Sequence, residues 1–166
     1  MTRRATPGLR CARRSLAWAA LAGTVALSAV AVAQVHQHGT AAPTDTRTLV
    51  RLPEPMRIHA LANMRDHLHT LQSINDALAR HAFDEAANLA EQRLGMTSLD
   101  AHGAAQFAPH MPKGMQDIGS RMHRAASRFA ISAQNAGVGN DVRPALGALG
   151  EVMQQCVGCH AAYRFQ

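Results

Sequence analysis

The chain has 166 residues and a formal charge of +6, with 17 Lys and Arg against 11 Asp and Glu. That length suits a leader and one domain. The basic balance is no sign of nucleic-acid binding, because five of the 17 cations fall before residue 15.

Residues 1–33 read as a secretory signal peptide. Arg3, Arg4, Arg10, Arg13 and Arg14 form its basic start, and an apolar run follows from Leu16 to Ala33. The run ends in Ala31-Val32-Ala33, a small-x-small cleavage site before Gln34. Arg13-Arg14 is a twin-arginine pair, but the residues after it match that signal poorly, so the general export route is expected. Uncleaved, about 18 apolar residues would just span a bilayer. Cleavage removes Cys11, Trp18, five cations and no acid, and leaves a nearly neutral chain with no further membrane segment.

Residues 34–54 form a polar arm with no periodicity, containing His36, His38, Pro43 and Asp45. The remainder, 55–166, divides into four helical patterns. The first spans 55–80, with Leu61, Met64, Leu68, Leu71, Asn75 and Leu78 as its seam. The second opens at Phe83, with Asp84 and Glu85 favourable to its dipole, and stops at Gly95. Residues 96–111 form a long connection with a short helical turn near 98–101. The third pattern opens at Pro112 and ends at Gly137, with Met115, Ile118, Met122, Ala125, Phe129 and Ala133 along one side. His123 and Arg124 are expected on its surface. The fourth begins with Asp141 as cap and Pro144 in its first turn. Leu146, Leu149, Met153, Cys156, His160 and Tyr163 share one side of it. β-Branched residues are scarce, so no strands are expected. Long helices and mostly short loops predict an all-α, antiparallel up-down-up-down four-helix bundle.

The last pattern contains Cys156-Val157-Gly158-Cys159-His160. Cys-x-x-Cys-His is the attachment signature of a c-type haem. Two thiols three positions apart can add to the two vinyl groups of one haem, and the next histidine supplies an axial nitrogen to the iron. A thioredoxin-like pair belongs at a helix start in a βαβ pattern, and a structural zinc site needs a second ligand pair; neither is present. In the processed chain both remaining cysteines belong to this motif, leaving none for a disulfide. The expected cofactor is one covalent haem c, and the expected compartment is the periplasm.

Cys156 to Arg164 reads C-V-G-C-H-A-A-Y-R. A C-terminal haem motif followed by x-x-Tyr-Arg resembles the class II c-type cytochromes, the cytochrome c′ and cytochrome c-556 group. The resemblance is specific over these nine residues and loose over 55–166. It implies Cys156 and Cys159 as thioether sites, His160 as proximal iron ligand, and Arg164 as the basic residue beside the proximal face. It also implies a homodimer through the first two helices. In that group an Arg in the first helix is followed four residues later by the distal residue. Arg57 then places Leu61 there, which implies a five-coordinate iron, with Arg57 as a haem-propionate partner.

The helix pattern alone points elsewhere. The end of the fourth helix meets the start of the first and third, where Met56, Met64, Met111, Met115, His59, His67 and His110 are candidates. Met64 lies on the seam and is the expected sixth ligand. A Met64–His160 iron suits an electron carrier between redox partner proteins, and a vacant position suits a binder of nitric oxide or carbon monoxide. His102, His110, Met96 and Met111 offer a weaker soft-metal alternative. No general acid or base is evident near the motif, so no enzymatic activity is expected.

Overall fold

The computed structural model describes residues 44–166. The expected leader, 1–33, and the first part of the expected arm, 34–43, lie outside the described residues. Five helices carry most of the described chain: α1 (Glu54–Ala79), α2 (Phe83–Arg93), α3 (Ala104–Phe107), α4 (Lys113–Gly139) and α5 (Arg143–Ala162). Tight single turns at Met96–Ser98 and Ala108–His110 flank α3. The third and fourth helices expected from sequence are thus α4 and α5, because the long connection contains a short helix of its own. No helix among the described residues is long and apolar enough to cross a membrane.

The helix ends follow local chemistry. Pro55 lies in the first turn of α1 and Pro112 directly precedes α4. The Asp141 carboxylate accepts the backbone N–H of Arg143 at 3.0 Å, just outside α5. α4 does not end at Gly137 as expected. It continues to Gly139 and stops where Asn140 turns left-handed, φ 51°. Gly137 serves a close approach instead, since a Cβ there would lie 3.4 Å from Phe83 Cβ.

α4 packs against both α5 and α2, and α2 packs against α1. The solid core joins Ile74, Ala77 and Leu78 of α1 to Phe83, Ala86, Ala87 and Ala90 of α2. Met122, Ala125, Ala126, Phe129 and Ala133 of α4 and Ala145, Leu149 and Val152 of α5 complete it. Alanine at most contacts lets the helix axes approach closely. The core therefore belongs to the later part of α1, the middle of α4 and the early part of α5. The opposite ends of these helices are left for something else.

Two expected seams hold in part: Leu78 and Leu149 are buried as expected, while other positions are displaced by one residue. In α1, Leu68 is 70% exposed and Asn75 is exposed, while Thr70, Ile74 and Ala77 are buried. A half-buried His67 and a buried Thr70 break a pattern judged by apolar residues alone. In α5, Leu146 and Met153 are exposed and Ala145 and Val152 face α4. Close packing on an alanine-rich partner favours the smaller side chains at the contact.

Strands occur where none was expected. β1 (Thr48–Val50) pairs in parallel with β2 (Tyr163–Phe165), in the register Thr48↔Tyr163, Leu49↔Arg164, Val50↔Phe165. Val50 is buried. So the later part of the span read as a free arm is tied beside the end of α5. Three residues are too few for a readable alternation, and the partner lies more than a hundred positions away.

Candidate functional site

The end of α5 carries the Cys-x-x-Cys-His residues. Cys156 packs at the edge of the core, and its thiol donates to Val152 O at 3.8 Å. Cys156 and Cys159 are half-buried and unbridged, and His160 is exposed. Burial pushes both thiols above the usual range, and at Cys159 the neighbouring Cys156 adds to the effect. The last turn of a helix is also its negative end, which opposes a thiolate. Both groups are therefore neutral thiols at neutral pH, unlike a redox dithiol activated at a helix start.

Beside them lies a cavity of about 190 Å³, lined by Arg47, Leu61, Met64, Met115, Cys159, His160, Tyr163, Arg164 and Phe165. Four pieces of chain meet here: the segment before β1, the first half of α1, the start of α4, and the α5–β2 junction. Leu61 and Met64, the two expected distal residues, both line this cavity together with His160. Their spacing of three on α1 places them on one face. The Tyr163 hydroxyl lies so close to α4 that a Cβ at Gly114 would meet it at 2.6 Å, so glycine at 114 admits the ring.

The cations sort differently from expectation. Arg57 gives both Nε and Nη2 to Glu54, each at 2.8 Å, and lines neither this cavity nor its neighbour. The local i,i+3 ion pair holds the guanidinium on the outer face of α1. Arg164 lines the cavity, and its Nε is buried without a hydrogen-bond partner, although Asp45 Oδ2 lies 3.3 Å away. Arg47 lines it too and donates to His160 O at 3.3 Å. No sequence pattern singled out Arg47. Its place follows from the β1–β2 pairing, which was itself unreadable.

A second cavity of about 240 Å³ adjoins the first and shares Met64, Met115 and Phe165 with it. Asn63, Gln116, His102 and His123 give it polar points among Ala60, Leu99, Phe107 and Met111. His123 is buried rather than on the surface as expected, with its Nδ1 2.8 Å from Leu94 O. His102 Nδ1 lies 3.3 Å from Ser98 Oγ, and its Nε2 lies 3.4 Å from His67 Nε2. Ser98 in turn donates to Gly95 O at 2.7 Å. Burial is the main cause holding all three imidazoles below their ordinary range, and His67 falls to about 4. The buried positions were invisible to a pattern that counts apolar residues, because these histidines are satisfied by one another and by the turn at Met96–Ser98.

The expected soft-metal grouping of His102, His110, Met96 and Met111 is not brought together: Met96 is exposed, and only His102 and Met111 share the second cavity. Among the described residues, no three His, Cys, Asp or Glu side chains are grouped to hold a metal ion by themselves. The first cavity brings together an apolar wall of Leu61, Met64, Met115 and Phe165, the Cys159 thiol and the His160 imidazole, and Arg164, whose buried Nε makes no hydrogen bond. Comparison with protein-family models, with curated proteins and with solved structures finds no match for this chain.

Proposed function

We propose that the chain is an exported monohaem c-type cytochrome that carries electrons between redox partner proteins. The observation that supports this reading is the placement of Cys159 and His160 on one cavity with Leu61, Met64 and Arg164, whose buried Nε makes no hydrogen bond. The Cys-x-x-Cys-His spacing names the group that such a cavity would take. On this reading the fold is an antiparallel four-helix bundle, α1, α2, α4 and α5, with haem c at the end opposite the alanine core.

Each residue then has a task. Cys156 and Cys159 hold the cofactor covalently, and as neutral thiols they remain available for thioether formation rather than for disulfide exchange. His160 would hold the iron through an imidazole nitrogen. Leu61, Met115 and Phe165, as apolar lining of the cavity, would exclude water from the bound group. Arg164 offsets acidic charge at the ring edge. When bound, the haem supplies one-electron redox chemistry, with its potential set by axial ligand, burial and nearby charge. Met64, which lines the same cavity as His160, would be the sixth ligand. Two protein ligands keep the iron's surroundings nearly constant between oxidation states, which suits a carrier.

Spectra of the reduced protein test the assignment. A low-spin spectrum that becomes high-spin and carbon monoxide-reactive in Met64→Leu is expected. A wild-type protein that is already high-spin and binds carbon monoxide rapidly would remove Met64 from the iron. It would leave Leu61 over the distal face, in a gas-binding haem protein.

A further inference from the structure

Arg47 is the charged residue at the cavity that no motif explains. It precedes β1, whose pairing with β2 sets it beside the last turn of α5. From there it lines the cavity and donates one Nη1–H to the carbonyl of His160 at 3.3 Å. Two further N–H groups go to Asp45: Nε to Oδ1 at 2.9 Å and Nη2 to Oδ2 at 2.8 Å. Arg164 approaches the same carboxylate at 3.3 Å, yet its Nε makes no hydrogen bond. Two guanidinium groups thus face one carboxylate, which leaves one positive charge and one buried donor unmatched at the cavity wall. Planar guanidinium forks suit carboxylates above other anions of that size. In the structure the Asp45 carboxylate, two residues from Arg47, takes these donors.

We propose that Arg47 and Arg164 form a clamp for a carboxylate of the haem edge, with Arg47 as the positioning residue and Asp45 as the internal competitor for the same donors. This rests on the haem reading above. Arg47 acts at two points: it ties the His160 carbonyl, and so the turn that carries the iron ligand, and it offsets acidic charge beside the ring. Positive charge near the iron favours the reduced state, and negative charge opposes it. Because Arg47 and Asp45 are both partly solvated, the effect weakens with salt.

The midpoint potential of the exported holoprotein tests this, measured for wild type, Arg47→Gln, Arg47→Lys and Asp45→Asn at low salt. Arg47→Gln is expected to lower the potential, Asp45→Asn to raise it, and Arg47→Lys to fall between Arg47→Gln and wild type. High salt should shrink all three differences. Haem-loaded variants whose potentials all equal that of wild type overturn the clamp and leave the haem reading intact. A wild-type chain with no covalent haem overturns both. Asp45→Asn removes no packing, so it decides the matter even if Arg47→Gln fails to mature.

Discussion

Phe129→Ala should lower the free energy of unfolding by about 3–5 kcal/mol, a fall in Tm of roughly 10–20 °C. Phe129 is 0% exposed and is the largest fully buried side chain among the described residues. Its surroundings make the upper part of that range the expected one. The core around it is built from Ala86, Ala87, Ala90, Ala125, Ala126, Ala130 and Ala133. A methyl group on a helix backbone cannot swing into a neighbouring void, so the space left by the ring would stay open. Urea unfolding of the variant beside Leu68→Ala gives the contrast. Leu68 is 70% exposed, and its loss should change stability by no more than about 0.5 kcal/mol. Equal effects for the two substitutions would mean that the α2–α4 contact is not the centre of the core.

Acid should weaken the fold through His67. Burial, then the charges of His102 and His123, lower its pKa from 6.5 to about 4. Between those values the unfolded chain binds a proton that the folded chain refuses. Stability from this residue is therefore complete above about pH 6.5 and declines as pH falls towards 4. Over the whole interval the loss is about 3 kcal/mol. His102 and His123 are shifted in the same direction and add to the loss. Urea midpoints of wild type and His67→Gln at pH 7 and pH 5 isolate the residue, since the carboxylates contribute equally to both proteins. Wild type should lose more stability than the variant over that step. An identical loss in both would show that His67 is solvated in the folded state.

The helices were largely legible because proline and helical spacing act locally, although the cap of α5 is Val142 rather than Asp141. α1 begins within one residue of its expected start, and α2 begins at Phe83 as read. Interior detail was less legible. Leu68 and Asn75 of α1 fell on the wrong side because polar residues, His67 and Thr70, take the inward positions. Those residues are tolerated inside only when something distant satisfies them: for His67 it is His102, from a loop whose path a one-dimensional pattern does not encode.

The candidate site divides in the same way. Cys156, Cys159 and His160 lie within five residues, and it is their spacing that led to the haem proposal. Leu61 and Met64 were identified only as alternatives, and the cavity contains both. Arg47 could not be found in advance, because its place depends on a strand pairing between residues 48–50 and 163–165. Arg57 has the opposite history: its sequence position drew attention, and Glu54, three residues away, takes its guanidinium instead.

The most direct measurement is the mass of the denatured protein, purified from the periplasm of a host with working haem-ligation machinery. The expected polypeptide begins near Gln34 and is heavier by one haem, and Cys156→Ser with Cys159→Ser removes that increment. A wild-type chain whose mass equals that of its amino acids alone would contradict covalent haem attachment at this motif.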